Sequence, residues 1–422
     1  MIRLRNGLCS ITLAVLLLVA ASRSSSAQPP DPSEPQTHVN DDGDVDERPV
    51  KRSDKDDLPG WHYASRGLQF RSANGRWFQW VTLRTQFRVS SPFDGTPTSP
   101  DDLPSEGEGE TTLGVNRSRL KVGGYLGTPR IQNFVEIDLK NQRMYHFFGT
   151  VELRDWLQVR GGQWKVEFNR ERVDSSGDQQ FVDRSIVNED FTLDAQIGVM
   201  ARGHLFRGRR GDGEYFAGVL AGEGRLALND DGVPMVLGRY QWNVFGRRVG
   251  FSQGDVEYHP RPAAAIGVAA AHGRGRYTRY DSSGGAQLEG FEPGVAGQYE
   301  LRQWMTDIAF VRRGVSLQGE HHWKRVIDHV AGGGRSLRGG YLQSGFFPIQ
   351  GWSRRLSALE VAGRIAYVEP DTETPGDGRS ELGGGINWYF NQHRNKISFD
   401  IARLGVSGSS RTRVRLQWDL SI

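Results

Sequence analysis

The chain has 422 residues, a formal net charge of +3 from 53 Lys and Arg against 50 Asp and Glu, and a mean hydropathy of -0.55. Its one cysteine, Cys9, excludes a disulfide framework and a cysteine-based metal site. Beyond the N-terminal region no stretch approaches the about twenty apolar residues of a membrane helix, so a helical membrane protein is excluded.

Arg3 and Arg5, the apolar run Ile11 to Ala21 and the small residues Ser25-Ser26-Ala27 have the three parts of a secretory signal peptide. Residues 1–27 are therefore expected to direct export, with cleavage before Gln28. Residues 28–60 follow, rich in Pro and Asp, with acidic Asp41, Asp42, Asp44, Asp46 and Glu47 ahead of basic Arg48, Lys51, Arg52 and Lys55. Such a segment buries too little apolar surface to fold alone and is expected to be a disordered periplasmic tail.

From Trp61 to the end the pattern has period two. In Arg76 to Val89, Trp77, Val81, Leu83, Phe87 and Val89 oppose Arg76, Thr82, Arg84, Gln86 and Arg88. Alternate side chains of a strand point to opposite faces, so one face suits lipid and the other water. Leu120, Val122 and Leu126 likewise oppose Arg117, Arg119 and Lys121. The next strand sets Ile131, Val135, Ile137 and Leu139 against Gln132, Glu136 and Asp138, after a tight turn at Gly127-Thr128-Pro129-Arg130. Ala263 to Ala271 is the one stretch with helical composition, and Gly267 weakens it. The same alternation runs through Leu359 to Tyr367, Leu382 to Phe390 and Ile397 to Ile401. It closes on Val414, Leu416, Trp418, Leu420 and Ile422, opposite Arg413, Arg415, Gln417, Asp419 and Ser421. A soluble β-sandwich also alternates. Strands of ten or more residues, and short turns alternating with long polar loops, favour a transmembrane antiparallel β-barrel of about sixteen strands over residues 61–422. Low mean hydropathy fits, because only every second residue faces lipid.

Seven of the basic residues are Lys and the rest Arg. The Arg fork of donors matches carboxylate and phosphate oxygens, and the export signal points away from nucleic acid as the partner. His321-His322 beside Glu320 lacks the helical spacing of a zinc site, no Gly-x-Ser-x-Gly elbow is present, and no cofactor motif or enzyme constellation emerges. The chemistry left is selective passage of small anions past Arg and Lys. The candidates are Arg76, Arg84, Arg88, Arg117, Arg119 and Lys121 on early strands, Arg413 and Arg415 on the last, and Arg170, Arg172 and Arg184 in a candidate constriction segment, Lys165 to Asp194. That segment also holds Glu167, Glu171, Asp174, Asp178 and Asp183, so the same Arg residues can instead pair with acids and brace the wall.

Two stretches resemble the phosphate-selective porin O and P family. One runs from Leu157 through Gly162-Gln163-Trp164-Lys165 to Phe168, then Phe181-Val182-Asp183-Arg184-Ser185 and Ile197-Gly198-Val199. The other is Leu359-Glu360-Val361-Ala362-Gly363-Arg364 with Asn387-Trp388-Tyr389-Phe390-Asn391. Val166-Glu167-Phe168 replaces the family's Pro-Phe-Gly, and Ile422 stands where barrels commonly end on an aromatic. The resemblance implies a sixteen-stranded barrel in the bacterial outer membrane, often a homotrimer, with basic residues lining the pore, one long loop folded inward, and phosphate or polyphosphate as passenger. The competing expectation is a structural or adhesive barrel whose lumen is plugged.

Overall fold

The computed structural model describes residues 59–64, 67–105, 107–349 and 358–422. The expected signal peptide, residues 1–27, and all but the last two residues of the expected tail, 28–60, lie outside them.

The described residues form a closed antiparallel barrel of sixteen strands with almost no helix among them. A hairpin of β1 (Gly60–Ala64) and β2 (Gly67–Arg71) precedes it. The wall begins with β3 (Trp77–Ser91), β4 (Thr112–Leu126), β5 (Ile131–Asp138), β6 (Arg143–Arg154), β7 (Leu157–Lys165), β8 (Ala195–Leu205), β9 (Gly213–Leu220), β10 (Met235–Asn243) and β11 (Ala263–Gly275). A small hairpin, β12 (Arg279–Asp281) and β13 (Gly284–Ala286), sits in the next loop. The wall then continues with β14 (Tyr299–Arg312), β15 (Val315–Asp328), β16 (Gly334–Phe346), β17 (Leu359–Glu369), β18 (Arg379–Asn391), β19 (Asn395–Val406) and β20 (Ser409–Ser421). The Ala-rich stretch is strand β11, not helix. Its small inward residues leave room in the lumen: a Cβ on Gly267 would lie 2.1 Å from Asp307 Oδ2.

Alternation carries into the structure. Along β3 the even residues from Phe78 to Ser90 are buried and the odd ones face outward. The outer surface is apolar, with Ile266, Val268, Ile308, Leu342, Ile365 and Leu382 among its exposed residues. A surface of this kind is stable in hydrocarbon, and closure leaves no unpaired strand edge there.

Closure pairs β20 with the upper half of β3, from Val414↔Ser91 to Ser421↔Arg84. Ile422 and Leu83 exchange both backbone hydrogen bonds at 2.9 Å. Strand β2 then takes over the rest of β3, from Leu68↔Val81 to Arg71↔Phe78. Gly67 begins it at a positive φ, where a Cβ would meet the Val81 carbonyl at 2.5 Å. The seam is thus shared by two segments laid end to end on one strand.

Most connections at one end of the barrel are short, as at 127–130, 155–156 and 313–314, and those at the other are longer on average, as at 92–111, 221–234 and 276–298. The connection 166–194 between β7 and β8 does not stay at the rim. It enters the lumen with two short helical turns, α1 (Arg170–Val173) and α2 (Val187–Phe191), and nearly every residue in it is buried. Wall carboxylates take up its backbone N–H groups: Glu171 N donates to Glu320 (2.5 Å), Val182 N to Asp400 (3.0 Å) and Ile186 N to Glu381 (3.0 Å). A buried irregular segment needs such partners, because each unpaired backbone group costs about the value of a lost hydrogen bond. Phe168, Val173, Ile186 and Phe191 pack with luminal Trp164, Phe216, Met305 and Val326.

Candidate pore constriction

Where the inward segment meets β4, β6 and the 276–298 loop, it leaves a cavity of ≈ 210 Å³. Arg117 and Arg119 reach it from β4, Tyr145 from β6 and Lys165 from the end of β7. Arg172, Asp183, Arg184, Asn188 and Glu189 come from the inward segment, and Asp281, Ser282 and Ser283 from the β12–β13 turn. Period two places Arg117, Arg119 and Lys121 on one face, and antiparallel register sets Arg119 and Lys121 opposite Asp138 and Glu136.

Cations exceed acids at this surface. Arg119 is tied to Glu136 behind it (2.9 Å) and lies over the Tyr145 ring. Arg172 holds Asp194 at 2.5 Å, and Asp194 also receives Arg225 at 2.9 Å. Arg117 shares Asp183 (3.3 Å) with Arg88 (3.1 Å). Arg184 differs: it donates to the carbonyls of Glu171 (2.9 Å) and Asp174 (2.6 Å) and makes no ion pair among the described residues. Its guanidinium makes no close ion pair, with Asp183 and Asp174 acting on it only from farther off, the condition under which it attracts a passing anion.

The two segment acids behave oppositely. Burial alone would raise the Asp183 carboxyl, but Arg117 and Arg88 outweigh it and hold the group well below the usual carboxylate range. Burial pushes the Glu189 carboxyl up, against the pull of Arg279 at 3.5 Å and with the help of Asp183. Glu189 therefore loses its charge first as pH falls.

Of the residues expected from sequence, Arg117, Arg119, Arg172 and Arg184 edge the cavity. The others are placed differently. Arg84 donates to Ser175 and Ser176 (2.7 and 2.6 Å) and Arg88 to the Val182 carbonyl (3.0 Å), so both clamp the inward segment to β3. Lys121 is fully buried beside Glu136 in the ladder. Arg170 crosses the lumen to Asp307 (3.1 Å), which Arg239 approaches from the other side at 2.7 Å. Arg415 grips Asp400 with two bonds (3.0 and 2.7 Å), and Arg413 donates to the carbonyls of Asp94 and Gly95. Arg76 is corrected outright: its even number matches the luminal face, but it lies in the turn before β3, where alternation has not begun, and is exposed. His322 faces inward to Glu320 (2.8 Å) while His321 packs on Trp304, so the pair splits across the wall; no metal-ligand cluster forms among the described residues.

Lys165, Glu189 and the turn Asp281-Ser282-Ser283 complete the cavity without having been singled out as its lining. Lys165 ended a quoted motif and was within reach of sequence reasoning. The 276–298 turn carried no signal, because only the loop's fold brings it over α2.

The fold is that of outer-membrane porins. The structure is similar to an anion-selective porin from Comamonas acidovorans (13% identity, TM-score 0.51, covering 82% of this chain and 100% of that one). It also resembles a loop-deletion form of OmpT, an outer membrane protein of Vibrio cholerae (9% identity, TM-score 0.54, 82% and 99% covered), and OprB of Pseudomonas putida (9%, 0.50, 82% and 94%). No family model matches the chain, and no curated protein matches it in sequence.

Proposed function

We propose that this protein is a passive channel of the bacterial outer membrane that admits small anions, phosphate among them, past the cavity edged by Arg117, Arg172 and Arg184. The observation that carries the reading is the excess of cations over acids at that cavity, with Arg184 lacking a carboxylate partner. An anion there exchanges water for charge-assisted hydrogen bonds, whereas a cation meets mainly guanidinium. The Comamonas porin, which is anion-selective and shares the fold, is the natural comparison. Asp183, Glu189 and Asp281 temper the field, which suits modest selectivity among anions more than a dedicated phosphate site. A homotrimer is part of the same reading. Conductance in a planar bilayer, with reversal potential in asymmetric chloride and phosphate, tests it: anion preference supports the proposal, and cation preference refutes it.

A second reading, a plugged barrel, draws on the packing of Phe168, Ile186 and Phe191 against luminal side chains and on the small cavity. Reconstituted protein that inserts but stays electrically silent would favour it.

A further inference from the structure

The two rims of the barrel differ in charge. Long-loop connections carry acids, among them Asp101, Asp102, Glu108, Asp230, Asp231 and Asp371, while the turns of the other end carry arginine. The arginines concentrate on one sector, the consecutive turns 206–212, 244–262 and 313–314 joining β8 to β9, β10 to β11 and β14 to β15. Neighbouring strands are about 4.8 Å apart, so these turns follow one another at roughly 10 Å along the rim.

Arg209, Arg210, Arg261, Arg312 and Arg313 are exposed and make no ion pair among the described residues. The rim's buried acids are turned inward. Asp212 is taken up by His204 (2.8 Å), Asn243 (2.9 Å) and the Gly208 N–H (2.6 Å), and Asp255 by His259 and the Gly314 N–H (2.6 Å). Exposed acids here are Asp155 and Glu257, the latter 3.7 Å from His259. Outward aromatics stand among the arginines: Trp156 at 53% exposure, Phe206 at 58%, Phe245 at 47% and Tyr258 at 40%. The turns are fixed, since Trp242 Nε1 donates to the Arg210 carbonyl and Arg313 N to the His259 carbonyl, both at 2.8 Å.

We infer that this sector binds the phosphate headgroups of anionic phospholipids at the membrane surface, an inference that rests on the membrane-spanning reading. Aromatic side chains seat at the headgroup level because they have an apolar body beside a polar boundary. Guanidinium groups held among them at that depth meet lipid phosphate, with bidentate geometry available to each. A partner lying deeper in the aqueous phase would make no use of the aromatics.

The test uses the full chain in nanodiscs of phosphatidylcholine containing a minor share of phosphatidylglycerol, with lipids retained by the protein counted by native mass spectrometry. Wild type is expected to enrich phosphatidylglycerol, and the variant R209Q/R210Q/R312Q/R313Q to lower that enrichment by about tenfold or more, given the size of attraction per basic side chain near an anionic surface. The four-lysine counterpart should restore most of it, and R130Q/R394Q, on turns outside the sector, should not change it; heat-resistant migration on gels confirms that each variant is folded. Unchanged enrichment in the four-glutamine variant overturns the inference. So does displacement of phosphatidylglycerol by inorganic phosphate at matched ionic strength, which would make the sector a free-anion site. Variant-sensitive binding to isolated peptidoglycan without lipid enrichment also overturns it. Failure of wild type to insert into any nanodisc would instead remove the membrane reading, and this inference with it.

Discussion

Arg184 is the sharpest place to test whether the constriction selects by charge. An anion at the centre of the ≈ 210 Å³ cavity lies about 6 Å from the lining charges, where Coulomb's law gives about 0.7 kcal/mol in bulk water and about 3 kcal/mol at an effective dielectric of 20. A partly hydrated constriction lies between, so losing one cation that has no carboxylate partner should cost an anion about 1 to 2 kcal/mol, about a 5- to 30-fold fall in anion-to-cation permeability ratio. Arg184→Gln in a planar bilayer is expected to shift the reversal potential toward zero by that ratio. Arg184→Lys keeps the charge while losing part of the hydrogen bonding to the Glu171 and Asp174 carbonyls, so it should stay close to wild type in selectivity. Conduction by Arg184→Gln with an unchanged reversal potential would refute charge selection by this residue. So would loss of selectivity in the lysine variant to the same extent as in the glutamine variant, since the residue would then act only by holding the inward segment in shape.

Three further outcomes follow from the same geometry. Because burial raises the Glu189 carboxyl while arginines keep Asp183 low, acidification should neutralise Glu189 before Asp183, leave the cavity more positive and raise anion preference; Glu189→Gln should show the raised preference already at neutral pH and a smaller acid step in a pH series of reversal potentials. Asp307→Asn breaks a buried Arg170–Asp307–Arg239 triad, at a cost of about 3–5 kcal/mol for an uncompensated buried charge, and should appear as noisier single-channel current; quiet traces like wild type would mean the other clamps suffice. Removing Ile422 deletes its paired backbone bonds to Leu83 and leaves β3 unpaired between β20 and β2, so heat-resistant migration on gels should be lost at a lower temperature; unchanged resistance would show that the hairpin alone secures the seam.

Much of the wall was legible in the sequence, and the reason is local. A strand sorts its side chains by parity, so Leu120 and Val122 had to face away from Arg119 and Lys121 once residues 112–126 were extended. The same parity failed at Arg76, one residue before the strand begins, because alternation has meaning only inside paired backbone. Ala263 to Ala271 has helical composition that Gly267 weakens, and the stretch is strand β11, whose register places small residues opposite Asp307 and Arg239.

Parity says which face a side chain takes but nothing about what stands across the lumen. Whether an arginine edges the cavity or clamps the wall depends on contacts between residues far apart in the chain: Arg84 with Ser176, Arg170 with Asp307, Arg88 and Arg117 with Asp183. These partnerships exist only after the sheet has closed and the 166–194 segment has entered it. By itself, then, the sequence determined the alternating wall and the supply of arginine. Tertiary structure alone decided which of those charges are neutralised by buried carboxylates and which, like that of Arg184, face the cavity without one, since ion pairing depends on distance in space and not on separation along the chain.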